Sequence, residues 1–164
     1  IAASTYMSNF LFALWENDYQ NLNSTPSPFI HFWSLAVEEQ FYLLFPLLVF
    51  ASGFVQGAPG GGRRLAWILL GISGASLVGW LVLNQSNPGL AYYLFPVRFW
   101  EMAAGALAFL AWRALPPAAG PPQTLATIAL GLALLALFFL PKSQAVTSTV
   151  VAVAVTAGLL WAPA

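Results

Sequence analysis

The first side chains that could do chemistry lie in one apolar stretch, from Pro28 to Pro46. At helical spacing one polar stripe forms there, through His31, Ser34 or Leu35, Glu38 and Tyr42. An imidazole gains or loses a proton near neutral pH, so with a carboxylate it could shuttle protons or orient a polar substrate. The alternative is structural: His31 caps the helix start or sits at the interface, and Glu38 pairs with an arginine elsewhere.

Other members of the same stretch also have two interpretations. Glu39 is turned about 100° from Glu38, which leaves it solvated or at the edge of a cavity. Trp33 and Tyr42 are packing and anchoring residues or substrate-binding residues. A nucleophilic Ser34 is disfavoured because His31 lies three residues away on the same helix, whereas the base of a serine triad comes from another element.

A second group lies between Ala91 and Trp112, where Arg98 and Glu101 are three residues apart and share a helical face. One interpretation is that the two charges neutralise each other inside a helix bundle. The other is that the planar guanidinium of Arg98 contacts an anionic donor or pairs with Glu38 across a cavity. Both groups lie in predicted helices that begin on the same, outer side of the membrane, so they could meet across one pocket.

Composition restricts the elements that can carry these groups. Only 6% of the 164 residues are charged and 60% are hydrophobic, whereas a soluble domain has about 25% charged residues. The sequence therefore predicts an all-α, polytopic transmembrane bundle in contact with the lipid bilayer. Zero net charge, with no basic stripe, predicts no nucleic-acid partner. One histidine and no cysteine predict no metal site.

Interrupted apolar runs predict about six spans. They are Ile1 to Trp15, Phe29 to Phe54, and approximately Leu65 to Leu83, Tyr93 to Trp112, Thr124 to Leu140 and Val146 to Trp161. Alternate loops lie on opposite sides of a membrane, so Arg63, Arg64 and Arg113 share one side, which the positive-inside rule makes cytoplasmic. Lys142, on the other side, weakens this assignment slightly. Tryptophans near span ends, Trp80 included, fit an interfacial belt.

The stretch from His31 to Pro46, HFWSLAVEEQFYLLFP, closely resembles the signature of the membrane-bound acyltransferase 3 family, the bacterial O-acyltransferases of surface polysaccharides. Ser8-Asn9-Phe10 followed by Asp18-Tyr19 resembles the family's preceding helix and loop. The segment from Tyr92-Tyr93 through Arg98-Phe-Trp-Glu101 to Gly105 resembles its later helix. The resemblance covers about residues 1 to 112.

This resemblance implies an enzyme that transfers an acyl group, often acetyl, from a coenzyme A thioester to a hydroxyl of a cell-surface carbohydrate or similar acceptor. It implies a bundle of about ten helices in the bacterial cytoplasmic membrane, with acyl-CoA as substrate and no permanently bound cofactor. The family's catalytic histidine lies in an earlier helix. Residues 1–164 are therefore expected to be a single fragment of the membrane domain, inactive alone, and an extracytoplasmic SGNH-type domain is expected outside it.

On the matching positions the resemblance implies supporting roles only. Glu38 and His31 are supporting catalytic candidates, and the candidate substrate-binding residues are Trp33, Ser34, Tyr42, Arg98 and Glu101. The alternative function is a multi-span transporter or flippase that uses Glu38 and Arg98 as an intramembrane relay. A third possibility is a structural membrane subunit, in which both charged groups are neutralised and inaccessible.

Overall fold

In the computed structural model, residues 7–14, 32–114, 128, 130–134 and 145–161 are described, and the regular elements in these ranges are all helical. The helices are α1 (Ser8–Leu14), α2 (Phe32–Ala51), α3 (Gly61–Ser86), α4 (Pro88–Tyr93), α5 (Phe95–Ala114) and α6 (Ala145–Trp161). Residues 130–134 are helical as well. The predicted all-α class is therefore confirmed for this part of the chain.

Two of the described helices are long and apolar enough to cross a membrane. α2 has 20 residues and α3 has 26, and the most apolar 18-residue segments of these helices have mean hydropathies of 1.4 and 2.0. At about 1.5 Å per residue, even α2 is about as long as the 30 Å hydrocarbon core is thick. These helices fit a membrane protein, and the count of six spans stays a prediction.

The connection between α2 and α3 is a tight turn built on glycine. Gly53, Gly57 and Gly60 all have positive φ, between 67° and 77°, a region that side chains with a Cβ rarely adopt. The Ala58 amide donates to the Gly53 carbonyl at 3.0 Å, and the Gly61 amide donates to the Ala58 carbonyl at 2.9 Å. A Cβ on Gly61 would lie 2.8 Å from the Gly53 oxygen. The start of α3 is therefore in backbone contact with the turn.

α3 is longer at both ends than the sequence pattern predicts. It begins at Gly61, so Arg63 and Arg64 lie in its first turn and not in a loop. The physical reason is that the glycines up to Gly60 already provide the turn, and arginine is a good helix former. At the other end α3 continues to Ser86.

The short helix α4 is not predicted, because it begins between the predicted spans Leu65 to Leu83 and Tyr93 to Trp112. The Asn87 side-chain oxygen accepts a hydrogen bond from the Leu90 amide at 3.2 Å, and Pro88 occupies the first turn. Asparagine at the cap with proline at the first helical position is a helix start signal. The chain is then extended at Leu94, with φ −80° and ψ 120°, before α5 begins.

The contacts divide the chain into two units, Ile1–Trp100 and Glu101–Ala164. In the first unit α1 packs against α2 and α4, and α3 also packs against α2 and α4. Trp80 is 6% exposed, with its ring 5.6 Å from that of Trp100. Trp80 therefore lies on the inner face of α3 with Leu65, Leu69, Ser73 and Ser76, and its assignment to an interfacial belt stays a prediction.

In the second unit, the Phe109 and Trp112 ring centroids are 6.3 Å apart, and the Arg113 guanidinium lies 5.9 Å from the Phe109 ring. A Cβ on Gly158 of α6 would contact Leu130 at 3.7 Å, an ordinary van der Waals distance. The expectation that residues 1–164 form a single fragment of one membrane domain stays a prediction.

Gly61→Ala is expected to destabilise the protein by about 1–3 kcal/mol, because the new methyl group meets rigid backbone at 2.8 Å. Gly62→Ala is the matched control, since its Cβ would lie 3.6 Å from the Phe54 ring and alanine favours the helix. Thermal unfolding of the detergent-purified protein measures both changes. Equal unfolding temperatures for the two variants would contradict the close contact at Gly61.

Candidate functional site

Two of the predicted substrate-binding residues, Trp33 and Arg98, lie in one cluster. The guanidinium carbon of Arg98 is 5.6 Å from the Trp33 ring centroid and 5.7 Å from that of Tyr92, both within cation–π distance. The Trp33 and Tyr92 centroids are 4.6 Å apart. Tyr93 completes the group, 5.3 Å from Trp33 and 5.1 Å from Tyr92. We name Trp33, Tyr92, Tyr93 and Arg98 the aromatic–arginine cluster.

Three helix ends position this cluster. Trp33 lies in the first turn of α2, the two tyrosines end α4, and Arg98 lies in the first turn of α5. The extended residue Leu94 separates α4 from α5, and Pro96 is tolerated in the first turn of α5 because an amide there has no intrahelical partner. This break lets Arg98 Nη1 donate to the Tyr92 carbonyl at 3.4 Å.

The members of the cluster differ in exposure. Tyr92 is 52% exposed and Tyr93 is 5% exposed, while Trp33 and Arg98 are half-buried. Tyr93 therefore belongs to the core, and Tyr92 has ring surface accessible beside a guanidinium. An aromatic face next to planar hydrogen-bond donors can pack against a ring-shaped polar molecule and bind its oxygens.

A buried polar junction lies next to the cluster. Asn9 is 0% exposed and forms a reciprocal amide pair with Gln40, with Gln40 Nε2 donating to Asn9 Oδ1 at 3.0 Å and Asn9 Nδ2 to Gln40 Oε1 at 3.4 Å. Asn9 Nδ2 also donates to the Tyr93 carbonyl at 3.3 Å. The junction therefore joins α1, α2 and α4.

The spacing rules do not predict Asn9 and Gln40 as site residues. Gln40 stands in a polar cluster where the neighbouring carboxylates carry the more reactive groups, and Asn9 stands in an apolar arm. The sequence feature that could have indicated the junction is the polar pair Ser8-Asn9 among apolar residues, because buried polar groups need hydrogen-bond partners. Ser8 also has one, because its Oγ donates to the Phe32 carbonyl at 2.9 Å.

The predicted stripe on α2 exists, but it faces away from the packed core. Ser34, Glu38 and Tyr42 are all exposed, whereas Ala36, Val37 and Phe41 on the same helix are buried. No ion-pair partner for Glu38 is present among the described residues, including Arg98. The predicted interaction between Glu38 and Arg98 is therefore not seen.

The remaining candidates are two carboxylates and a histidine. Glu39 is half-buried on α2, and Glu101 is half-buried on α5 in the second unit. His31 lies outside the described residues, so its structural role stays a prediction. Within those ranges, no three His, Cys, Asp or Glu side chains come together as a potential metal site.

In the part of the chain that the structure describes, every regular element is a helix, and α2 and α3 fit a membrane protein. Residues 1–162 match the model of a family described as an acyltransferase domain. The chain therefore belongs to the acyltransferase 3 family, which confirms the resemblance of the stretch from His31 to Pro46.

Several curated bacterial proteins are similar to the chain. A putative peptidoglycan O-acetyltransferase of Bacillus subtilis is 31% identical over 114 residues, or 68% of this chain and 18% of that protein. The peptidoglycan O-acetyltransferase OatA of Listeria monocytogenes is 36% identical over 115 residues, or 67% of this chain and 18% of that protein. The O-acetyltransferase OatA of Staphylococcus aureus is 51% identical over 49 residues, or 30% of this chain and 8% of that protein. No solved structure matches the chain.

The adjacent tyrosines provide a matched test of the cluster. Tyr93→Leu is expected to destabilise the protein by about 1–3 kcal/mol, because it leaves a void beside Trp33 in the core. Tyr92→Leu should cost less than about 1 kcal/mol, because that ring is half exposed and loses mainly its ring contacts. Thermal unfolding compares the two, and a larger loss for Tyr92→Leu would contradict the burial of Tyr93.

Proposed function

We propose that the protein containing this chain transfers an acetyl group from acetyl-CoA to a hydroxyl of a cell-surface carbohydrate, of which peptidoglycan is the first candidate. The observation that carries this proposal is the family match over residues 1–162. It is supported by relatives named as peptidoglycan O-acetyltransferases. Because the matched region is less than a fifth of these relatives, the activity is assigned to the whole protein and not to this chain alone.

The chemistry is a thioester acyl transfer. A general base removes the proton of the acceptor hydroxyl, whose oxygen attacks the thioester carbonyl to form a tetrahedral oxyanion. That intermediate collapses, a C–O ester bond replaces the C–S bond, and the coenzyme A thiolate takes up a proton. Glu38 and His31 are the supporting catalytic candidates of this chain, and the complete catalytic set is proposed to include residues outside it.

The aromatic–arginine cluster is proposed as one wall of the acceptor site. Tyr92 offers an accessible ring on which a sugar ring can pack, and Arg98 lies 5.7 Å from that ring, within reach of the sugar's substituents. Trp33, on α2, contacts both Tyr92 and Arg98 through its ring. Glu101, Ser34 and Tyr42 complete the set of proposed substrate-binding residues.

A second wall is proposed on α2. A carboxylate within an apolar span costs roughly 2.5–3.5 kcal/mol on insertion scales, so such a group usually faces a cavity or a partner. Glu38 is exposed and stands on one face with Ser34 and Tyr42. We therefore place the donor or acceptor channel along this face.

The membrane arrangement is proposed from the sequence pattern and the family. About six spans of a bundle of about ten helices would lie in the bacterial cytoplasmic membrane. The exposed Arg63 and Arg64 at the start of α3, together with Arg113, would mark the cytoplasmic side. An SGNH-type domain is proposed for the longer protein.

Arg98→Ala in the full-length protein is expected to reduce acetylation of the cell-surface glycan at least tenfold, because the acceptor wall loses its cation. Arg113→Ala is the matched control, since Arg113 lies at the far end of the same helix and outside the proposed site. Glycan acetate released by mild alkali measures the effect, normalised to membrane expression. Equal acetate in the two variants would remove Arg98 from the site.

Glu38→Gln is expected to reduce acetylation similarly, because the proposed channel loses its carboxylate while the side-chain shape is kept. Glu39→Gln tests the neighbouring position, which points elsewhere on α2 and is half-buried. The same acetate release assay applies. Loss of acetylation in Glu39→Gln but not in Glu38→Gln would reverse the assignment.

Purified full-length protein with acetyl-labelled acetyl-CoA and peptidoglycan fragments tests the reaction itself. Ester-linked label on the glycan, removable by mild alkali, is the expected result. Movement of a substrate across liposomes without covalent change would instead support a transporter and overturn the proposal.

A further inference from the structure

We propose that Asn9 is a positioning residue for acyl transfer: its bond to the Tyr93 carbonyl holds α4 so that Tyr92 and Arg98 form the acceptor wall. This inference rests on the proposed function. It assigns a role to a buried residue 84 positions before its partner in the sequence, for which neither residue type nor spacing predicts chemistry.

The Tyr93 carbonyl requires a partner from outside its helix. α4 has only six residues, and the last carbonyls of a helix have no intrahelical partner. Asn9 Nδ2 fills this position at 3.3 Å, in a site where Asn9 is fully buried. A buried carbonyl without a donor is costly, so this contact restrains the end of α4.

The restraint reaches the cluster directly. Tyr92 precedes Tyr93 in the chain, its ring contacts Trp33 at 4.6 Å, and its carbonyl accepts the bond from Arg98. A shift of the end of α4 would therefore move the exposed Tyr92 ring together with the carbonyl that accepts the hydrogen bond from Arg98.

The other half of the junction restrains α2. Gln40 lies seven residues after Trp33, two helical turns along approximately the same face. Its reciprocal bonds to Asn9 therefore fix the α2 face that carries Trp33 relative to α1. Asn9 thus connects the two helices that contribute Trp33 and Tyr92.

Two variants of the full-length protein separate positioning from stability. Gln40→Leu leaves the Asn9 side-chain amide able to donate to the Tyr93 carbonyl. It removes the other hydrogen-bond partner of Asn9, the Gln40 amide. The double variant Asn9→Leu/Gln40→Leu removes both amides and, with Asn9, the donor to the Tyr93 carbonyl. If the junction only stabilises the fold, function should follow thermal stability in both variants.

We expect function and stability to separate. Gln40→Leu should unfold at a lower temperature and raise the acceptor KM less than twofold, because it keeps the bond from Asn9 to the Tyr93 carbonyl. The double variant should also unfold at a lower temperature, because the buried Tyr93 carbonyl loses its donor, yet show an acceptor KM raised at least fivefold, with kcat changed less than twofold. The assay uses labelled acetyl-CoA and a disaccharide of N-acetylglucosamine and N-acetylmuramic acid.

Hydrogen exchange provides a readout that does not need activity. In the double variant the amides of residues 87–94 should exchange at least several-fold faster than in wild type, while those in the middle of α3 are unchanged. Wild-type exchange in this segment, or a wild-type KM in the double variant, would overturn the role of Asn9. Absence of transfer by the wild-type protein would instead overturn the proposed function, and the exchange result would still decide whether Asn9 restrains α4.

Discussion

The hydrogen bonds of Asn9 are the constraint on which the first unit depends. Between helices in a bilayer, burial of apolar surface gives little net driving force, because lipid tails are as apolar as leucine side chains. Packing and interhelical hydrogen bonds then carry specificity, and each such bond contributes about 0.6–2 kcal/mol. Asn9 forms its bonds with Gln40 and Tyr93 on two other helices. One side chain thereby selects one arrangement of α1, α2 and α4.

Two interruptions of the helical backbone complete that arrangement. The glycine turn after α2 is in backbone contact with the start of α3, and the extended Leu94 separates α4 from α5. Without the break at Leu94, Tyr92 and Arg98 would be six residues apart on one continuous helix. Their positions would then differ by about 600° of rotation around the helix axis and by roughly 9 Å along it. With the break, the guanidinium lies near the Tyr92 ring and bonds to its carbonyl.

The parts that could be predicted from the sequence are those that local pattern determines. Long apolar runs predicted α2, α3 and α5 approximately, and the family resemblance of two separate segments made Trp33 and Arg98 substrate-binding candidates. α4 and the Asn9 junction were not predicted. A six-residue helix has too little periodicity, and the bonds of Asn9 join residues 31 and 84 positions apart. Such contacts depend on how helices pack, which single-residue spacing does not encode.

Two of the charged residues in predicted spans, Arg98 and Glu38, are accommodated in different ways. Arg98 has two aromatic faces within cation–π distance, each worth about 0.5–2 kcal/mol, and a carbonyl acceptor. Glu38 lies instead on the exposed face of α2, where water, substrate or chain outside the described residues can solvate it. A cation held by fixed rings is suited to orienting a substrate, whereas an accessible carboxylate is suited to exchanging a proton.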